Sequence, residues 1–273
     1  MRNDTHEDLF QTGRVNTYQQ LRDWRVAAAS VRGTSHEKVG QLCQDAHHWH
    51  KLPNSVLVAA VGDGAGSASL GKVGAIVATQ TAVETICAEQ SRLYSNLDEV
   101  GWQEILHSAL SAAKVAVEAE AAVCGLAARD LATTLIIVVA TPELIAAVQV
   151  GDGLAVAGDR DGNVIALTSA QRGEYVNETT FLVSPNAVDT AQVNLWHGAM
   201  SNIAVFSDGL QMLAVNMNDG TPYIPFFTPL FRFMADMEDE NEAKEQLAAF
   251  LRSPRITDRT DDDLTLLLAT LAS

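Results

Sequence analysis

The sequence predicts an α+β fold in which sheets pack on one another and helices sheathe them. Apolar runs of strand length recur: VLVAAV from Val56, LIAAVQV from Leu144, IAVF from Ile203 and LTLLLATL from Leu264. Each is too short for a lone helix and several are rich in β-branched residues, so they read as strands covered on both faces. Helical patterns, in contrast, come as an adjacent pair, without the regular βαβ alternation of a doubly wound parallel sheet. A chain of 273 residues is also ample for a sizeable core.

In order along the chain, residues 1–22 are polar and form an N-terminal arm, and residues 23–273 form one domain. WRVAAASV, from Trp24 to Val31, is the first strand. The next stretch, RGTSHEKVGQLCQDAHHWH, is a Gly- and Ser-containing loop leading to Gln44-Asp45 and a short, partly alternating segment. The turn KLPNS, with Pro53 and Asn54, closes a hairpin onto the strand from Val56. That hairpin sets Asp45 and Asp63 on adjacent strands near one end of a sheet. Beyond Gly71, Val73, Ile76, Val77, Val83 and Ile86 fall near one helical face; a second helix runs from about Trp102 to Val123, where Leu106, Leu110, Ala113 and Val117 repeat at helical spacing. The segment starting TTLIIVVATPELIAAVQV holds three or four strands, with turns at Thr141-Pro142-Glu143 and from Asp159 to Asn163, as an antiparallel meander. Thr168 to Asn202 is polar and turn-rich, a surface flap beside the site. Residues 236–252 form a last helix with Leu247, Phe250 and Leu251 inward, and LTLLLATL is the closing strand.

Asp plus Glu number 34 against 18 Lys plus Arg, a formal charge of -16 that argues against a nucleic-acid partner. The opening residues hold charges and no apolar segment, so neither a signal nor a transit peptide is expected. No run approaches the ~20 apolar residues of a membrane helix, so no membrane partner is expected. Cys43, Cys87 and Cys124 are too few and too widely spaced for a disulfide framework or a CxxC metal knuckle. The expectation is a soluble, cytoplasmic protein.

The chemistry gathers at the strand ends. Asp63 follows the run from Val56 and is the first residue that cannot stay inside, while Gly64 and Gly66 let the backbone turn sharply beside it. One Asp-Gly after a strand is usually only a turn. Here the arrangement recurs at Gly151-Asp152-Gly153 and Ser207-Asp208-Gly209, and Asp261, Asp262 and Asp263 open the last apolar run. Like charges gathered in a partly buried place repel and take up protons unless cations neutralise them. Hard divalent ions such as Mg²⁺ or Mn²⁺ accept such oxygen ligands. Two of them about 3.5–4 Å apart can activate a water and clamp a phosphoryl group.

QDA at 44–46, DGAG at 63–66, GDG at 151–153, SDGL at 207–210 and DDLT at 262–265 occur in an order that resembles bacterial members of the metal-dependent protein phosphatase 2C family. The resemblance runs from about Trp24 to Leu271. It implies a four-layer αββα sandwich of two mainly antiparallel sheets with two Mn or Mg ions between them. It also implies hydrolysis of phosphoserine and phosphothreonine in phosphorylated protein substrates, by a water or hydroxide bridging the ions, without a phosphoenzyme. Carried over, Asp63 bridges both ions, the Gly64 carbonyl binds one, Asp208 and Asp262 complete the second, and Asp45 acts at the same centre partly through waters.

The chain departs from the family at several positions. Gln44 stands where many members have Glu, Ala65 where eukaryotic members have a His proposed as general acid, and Gly40 where they have a phosphate-binding Arg. Phosphate binding then falls to Arg32, His36 or Lys38, and proton donation to His36 or His48. Met212 replaces an Asp that helps hold a third metal, leaving Asp152 as the remaining candidate, so a third site is expected to be weak or absent.

Two rival readings remain open at this point. GSASLGKV from Gly66 fits GxxxxGK between a strand and a helix, the setting of a nucleotide-binding P-loop, although Val73 stands where a hydroxyl would hold Mg²⁺. A non-catalytic phosphoprotein-binding module on the same fold is the other. Of the clustered histidines, His47 points away from His48 and His50 if the segment is a strand.

Overall fold

A computed structural model describes residues 23–95, 97–169 and 179–272. The arm expected over residues 1–22 lies outside these. Among the described residues, ten strands form two antiparallel five-stranded sheets. In chain order they are β1 (Trp24–Val31), β2 (Ala46–Leu52), β3 (Val56–Gly62), β4 (Leu135–Ala140), β5 (Leu144–Val150), β6 (Leu154–Gly158), β7 (Val164–Ala166), β8 (Gln192–His197), β9 (Asn202–Phe206) and β10 (Leu264–Leu271). One sheet has the order β1-β10-β9-β6-β7, the other β2-β3-β4-β5-β8. The helices are α1 (Thr34–Val39), α2 (Gly71–Ala88), α3 (Gln90–Leu93), α4 (Glu99–Val123), α5 (Gln211–Ala214), α6 (Ile224–Asp236), α7 (Glu240–Leu251) and α8 (Pro254–Thr257).

Side-chain alternation explains the four layers. On β3, Leu57, Ala59 and Val61 pack against Val26, Val205 and Leu267 of the opposite sheet. Val58 and Ala60 pack against Ala82, Ile86 and Leu106 of α2 and α4. With both faces buried, the strand has no use for a polar residue, and its sequence is an unbroken apolar run. The other sheet is covered by α6 and α7, with Phe206 and Leu268 against Phe227 and Leu247. Full burial of each such side chain stabilises the fold by roughly 1.5–3 kcal/mol before conformational entropy is counted.

The expected meander does not hold as one sheet. β4 and β5 pair in one sheet, whereas β6 and β7 belong to the other. The chain crosses at Gly151-Asp152-Gly153, where Gly151 has φ +111 and a Cβ would meet the Thr134 side chain at 2.5 Å. The buried Gln149 amide ties the crossing together by donating to the carbonyls of Gly151 (2.8 Å) and Gly153 (2.7 Å). A turn that ends a strand and one that changes sheets demand the same residues, so spacing alone does not separate them.

The expected flap contains β8, an edge strand on β5, and buries Leu182 and Ala187. Its mixed composition suits a strand with one outer edge, which polar content alone made look like a loop. Likewise the expected loop after Gly33 holds the six-residue α1, and α6, with Pro225 and Pro229, was not anticipated. The helix expected over residues 236–252 is α7, followed by the short α8 rather than being the last; it starts at Glu240, where Asp239 caps it by accepting from the amides of Asn241 and Glu242. Leu247 and Leu251 are buried as expected, while Phe250 is half-buried.

Candidate metal centre

The pairing of Ala46 with Gly62 in the β2–β3 hairpin brings Asp45 and Asp63 side by side as the two strands end. The backbone of Asp63 is clamped: its amide donates to Thr134 Oγ1 (3.0 Å), and its carbonyl accepts from the Thr134 amide (2.8 Å) and Thr133 Oγ1 (3.0 Å). Gly64 must be glycine, since a Cβ there would lie 2.3 Å from the carbonyl carbon of Gly71 at the start of α2. From the other sheet, Ser207 at the end of β9 donates through Oγ to Asp45 Oδ2 (2.7 Å) and accepts from the Thr265 amide (3.0 Å). This hydroxyl links the ends of β9, β10 and β2 across the sandwich, and Asp208 follows it directly.

Asp63, Gly64, Asp152, Asp208, Asp262 and His36 line one cavity of about 220 Å³ between the sheet ends. Asp45 lies behind it, buried to 4% exposure. Burial pushes the Asp45 carboxyl up to about 7, the Ser207 hydrogen bond opposing this and the charge of Asp263 adding to it. Burial, then Asp45 and Asp208, raise Asp63 well above the usual carboxylate range. Asp208 is pushed up to about 6 by burial and by the charges of Asp152 and Asp262, against a hydrogen bond with Asp63. Asp262, more open to solvent, is raised by burial and by its acidic neighbours.

These groups fit hard divalent cations. The donors are oxygens, and Asp45 Oδ1 and Asp208 Oδ1 are buried with no hydrogen-bond partner, an arrangement costly for carboxylates without a cation or proton. Among the described residues no three acidic, His or Cys side chains enclose a single ion as they stand. Asp63 is instead turned onto Asp45 and Asp208, carboxyl to carboxyl. Such a contact needs a shared proton or an intervening cation.

The structure does not bring all three expected phosphate contacts to this cavity. His36 lines it. Arg32 turns to the Gln41 carbonyl (3.2 Å) and Glu37 (3.7 Å), and Lys38 is exposed on α1. Asp152 is partly committed: Oδ2 accepts from Thr179 Oγ1 (2.7 Å) and its carbonyl from Gln211 Nε2. Gln44 serves α2, its Oε1 accepting from the Lys72 amide (3.0 Å). Gly40 ends α1 at φ +72, so the position of the missing Arg is here a helix stop, and Met212 is exposed on α5. Burial raises the Cys43 thiol, leaving it a poor nucleophile.

Sequence reasoning missed Asp263. Where DDLT singled out Asp262, the structure buries Asp263 to 3% exposure and gives it three donors: the Gly33 amide (2.7 Å), the Gln44 amide (2.6 Å) and His36 Nδ1 (2.9 Å). The motif match offered no signal for it, because in a run of three carboxylates only the packed chain shows that Asp263 is the buried one.

The P-loop reading fails on backbone geometry. β3 is antiparallel to both neighbours. The amides of Ala68, Leu70 and Lys72 are taken by Ala65, Asp130 and Gln44, so they form no phosphate cradle.

Comparison with known proteins gives the same architecture and a lineage. The family model for protein phosphatase 2C matches residues 32–252. Serine/threonine-protein phosphatase 3 of Escherichia coli (strain K12) is 36% identical over 253 residues, covering 90% of this chain and 98% of that protein. The serine/threonine phosphatase Stp1 from Staphylococcus aureus superposes with a TM-score of 0.61 at 13% identity, covering 91% of this chain and 95% of that one. The catalytic domain of serine threonine protein phosphatase PstP, solved in complex with two manganese ions, superposes at 0.51 with 17% identity, covering 92% of this chain and 99% of that one. The two solved structures share the fold, and the family model together with the Escherichia coli relative shows that this chain belongs to the protein phosphatase 2C family.

Proposed function

We propose that residues 23–273 form one catalytic domain that hydrolyses phosphoserine and phosphothreonine in proteins. The observation that carries this is the meeting of Asp45, Asp63 and Asp208, remote in sequence, behind and around a cavity that Asp152 and Asp262 also line. Asp63, the Gly64 carbonyl, Asp208 and Asp262 would hold two Mn²⁺ or Mg²⁺ ions, and Asp45 would support them from behind. Bound there, the ions supply Lewis acidity, an activated water and neutralisation of the phosphoryl oxygens.

The chain's own residues do the rest. Thr133 and Thr134 fix the backbone of Asp63, so its carboxylate is preorganised. Ser207 holds Asp45 while joining the sheets. His36, the one cavity-lining member of the three expected phosphate contacts, faces the phosphoester. Asp152, whose Oδ2 already accepts from Thr179 Oγ1, would offer a third ion at most a weak ligand. No helix among the described residues is long and apolar enough to cross a membrane. The substrates we infer are cytoplasmic phosphoproteins.

The test is turnover of a phosphoserine peptide with and without Mn²⁺. Activity is expected only with the metal, and Asp63→Asn is expected to abolish it. Binding of the phosphopeptide with no turnover at any Mn²⁺ concentration would sink this reading in favour of a non-catalytic module.

A further inference from the structure

The geometry points to Asp263 as a positioning residue that orients His36 for donating a proton to the leaving serine or threonine oxygen. This rests on the phosphatase reading and deepens it. Asp263 is buried to 3% exposure, and its carboxylate is aimed by two backbone amides, Gly33 at 2.7 Å on Oδ1 and Gln44 at 2.6 Å on Oδ2. Both of those donors come from the chain that flanks α1, the helix carrying His36. The same Oδ2 receives His36 Nδ1 at 2.9 Å. A carboxylate only accepts, so the ring must place a proton on Nδ1. Nε2 is then the ring nitrogen left for the cavity that His36 lines.

The cavity has room for this donor. Ala65 lines the same cavity, at the position where some relatives carry a histidine, and its methyl offers no proton. His36 enters from another element. A buried, amide-anchored carboxylate behind an imidazole fixes the plane of the ring and the direction in which Nε2 points. Gly33 cannot take a side chain without disturbing this arrangement, since a Cβ there would lie 2.2 Å from the carbonyl carbon of Asp262. The loop, the carboxylate pair and the histidine are therefore packed as one unit.

In the step itself, a bond forms between water oxygen and phosphorus while the ester P–O bond breaks. The departing serine or threonine oxygen takes the Nε2 proton of the imidazolium, and the proton shed by water passes to solvent. Solvent then reprotonates the ring. The products are the free hydroxyl residue and inorganic phosphate, with no oxidant or second substrate required.

Leaving-group dependence separates this role from its rivals. An alkoxide is a strong base and needs a proton as it leaves, whereas p-nitrophenolate is a weak base and needs one far less. His36→Ala and Asp263→Asn are each expected to lower kcat on a phosphoserine peptide about 100-fold, the low end of general-acid effects. On p-nitrophenyl phosphate the expected loss is far smaller, about 3-fold. The double variant is expected to be no worse than His36→Ala, because Asp263 acts through His36.

Equal losses on the two substrates would overturn the proposal, as would additive losses or a rise in KM with kcat unchanged. Each would mean that the pair serves the fold, the metal centre or phosphate binding instead. If Asp263→Asn fails to fold, ¹⁵N NMR of the unsubstituted protein decides: a protonated, hydrogen-bonded Nδ1 on His36 is expected, and a bare Nδ1 overturns the proposal. Should the unsubstituted protein show no Mn²⁺-dependent turnover of either substrate, the phosphatase reading falls and this one with it. Full activity without substrate selectivity in the variants removes this one alone.

Discussion

At the scale of single residues, the site concentrates negative charge where water is scarce. Asp45 and Asp208 are pushed up to about 7 and about 6, chiefly by burial. Their ordinary value is 3.8, so without metal the folded chain binds more protons than the unfolded chain between about pH 4 and 7. The cluster's contribution to stability therefore falls as pH rises through that window. Divalent cations displace those protons, and their affinity rises with pH. Scanning calorimetry is expected to show Mn²⁺ raising Tm by more at about pH 7.5 than at about pH 5; the reverse order would contradict a carboxylate centre. Ser207 gives a second prediction. Its hydroxyl donates to the buried Asp45 Oδ2 at 2.7 Å. Ser207→Ala leaves the carboxylate buried with less support, at a cost of about 1–3 kcal/mol. Urea unfolding without metal and Mn²⁺ titration are expected to show lower stability and weaker Mn²⁺ binding together.

At the scale of elements, close approach overrides intrinsic preference. Gly74 lies within α2, where replacing Gly by Ala ordinarily gains up to about 1 kcal/mol. Here a Cβ would sit 2.0 Å from the Leu131 carbonyl oxygen, a backbone atom that cannot swing aside. Gly74→Ala is therefore expected to destabilise the protein by about 1–3 kcal/mol, read as a lower urea midpoint with an unchanged m-value. A gain in stability would show that α2 moves freely against the turn at residues 128–131. The same rule governs what was readable. Strands β3, β5, β9 and β10 stood out because burial on both faces demands apolar runs. α1 and β8 did not, because short or edge elements carry mixed composition and are fixed by their neighbours. α6, apolar but interrupted by Pro229, went unread.

Across the whole molecule, the site depends on two sheets keeping their ends level. Asp45, Asp63 and Asp152 arrive from one sheet, with Asp152 on the crossing, while Asp208 and Asp262 arrive beside strands of the other. The core between the sheets sets that alignment, and Leu267 is fully buried within it. Leu267→Ala is expected to cost 2–5 kcal/mol on the scale of large-to-small core changes. It should also weaken Mn²⁺ binding measurably although it touches no carboxylate. Unchanged binding in a destabilised variant would show that the site holds its shape independently of the packing between sheets.

The sequence by itself determined the layered α+β class, the strand ends that carry acidic residues, and the family, because burial patterns and short motifs are local properties of the chain. Only the tertiary structure decided that Gly151-Asp152-Gly153 passes from one sheet to the other, that Arg32 and Lys38 stay away from the cavity, and that Asp263 stands behind His36. The physical reason is distance along the chain. His36 and Asp263 are separated by 227 positions. A carboxylate in a run of three reads alike whether it faces water or a buried histidine, until the packing of two sheets gives each side its surroundings.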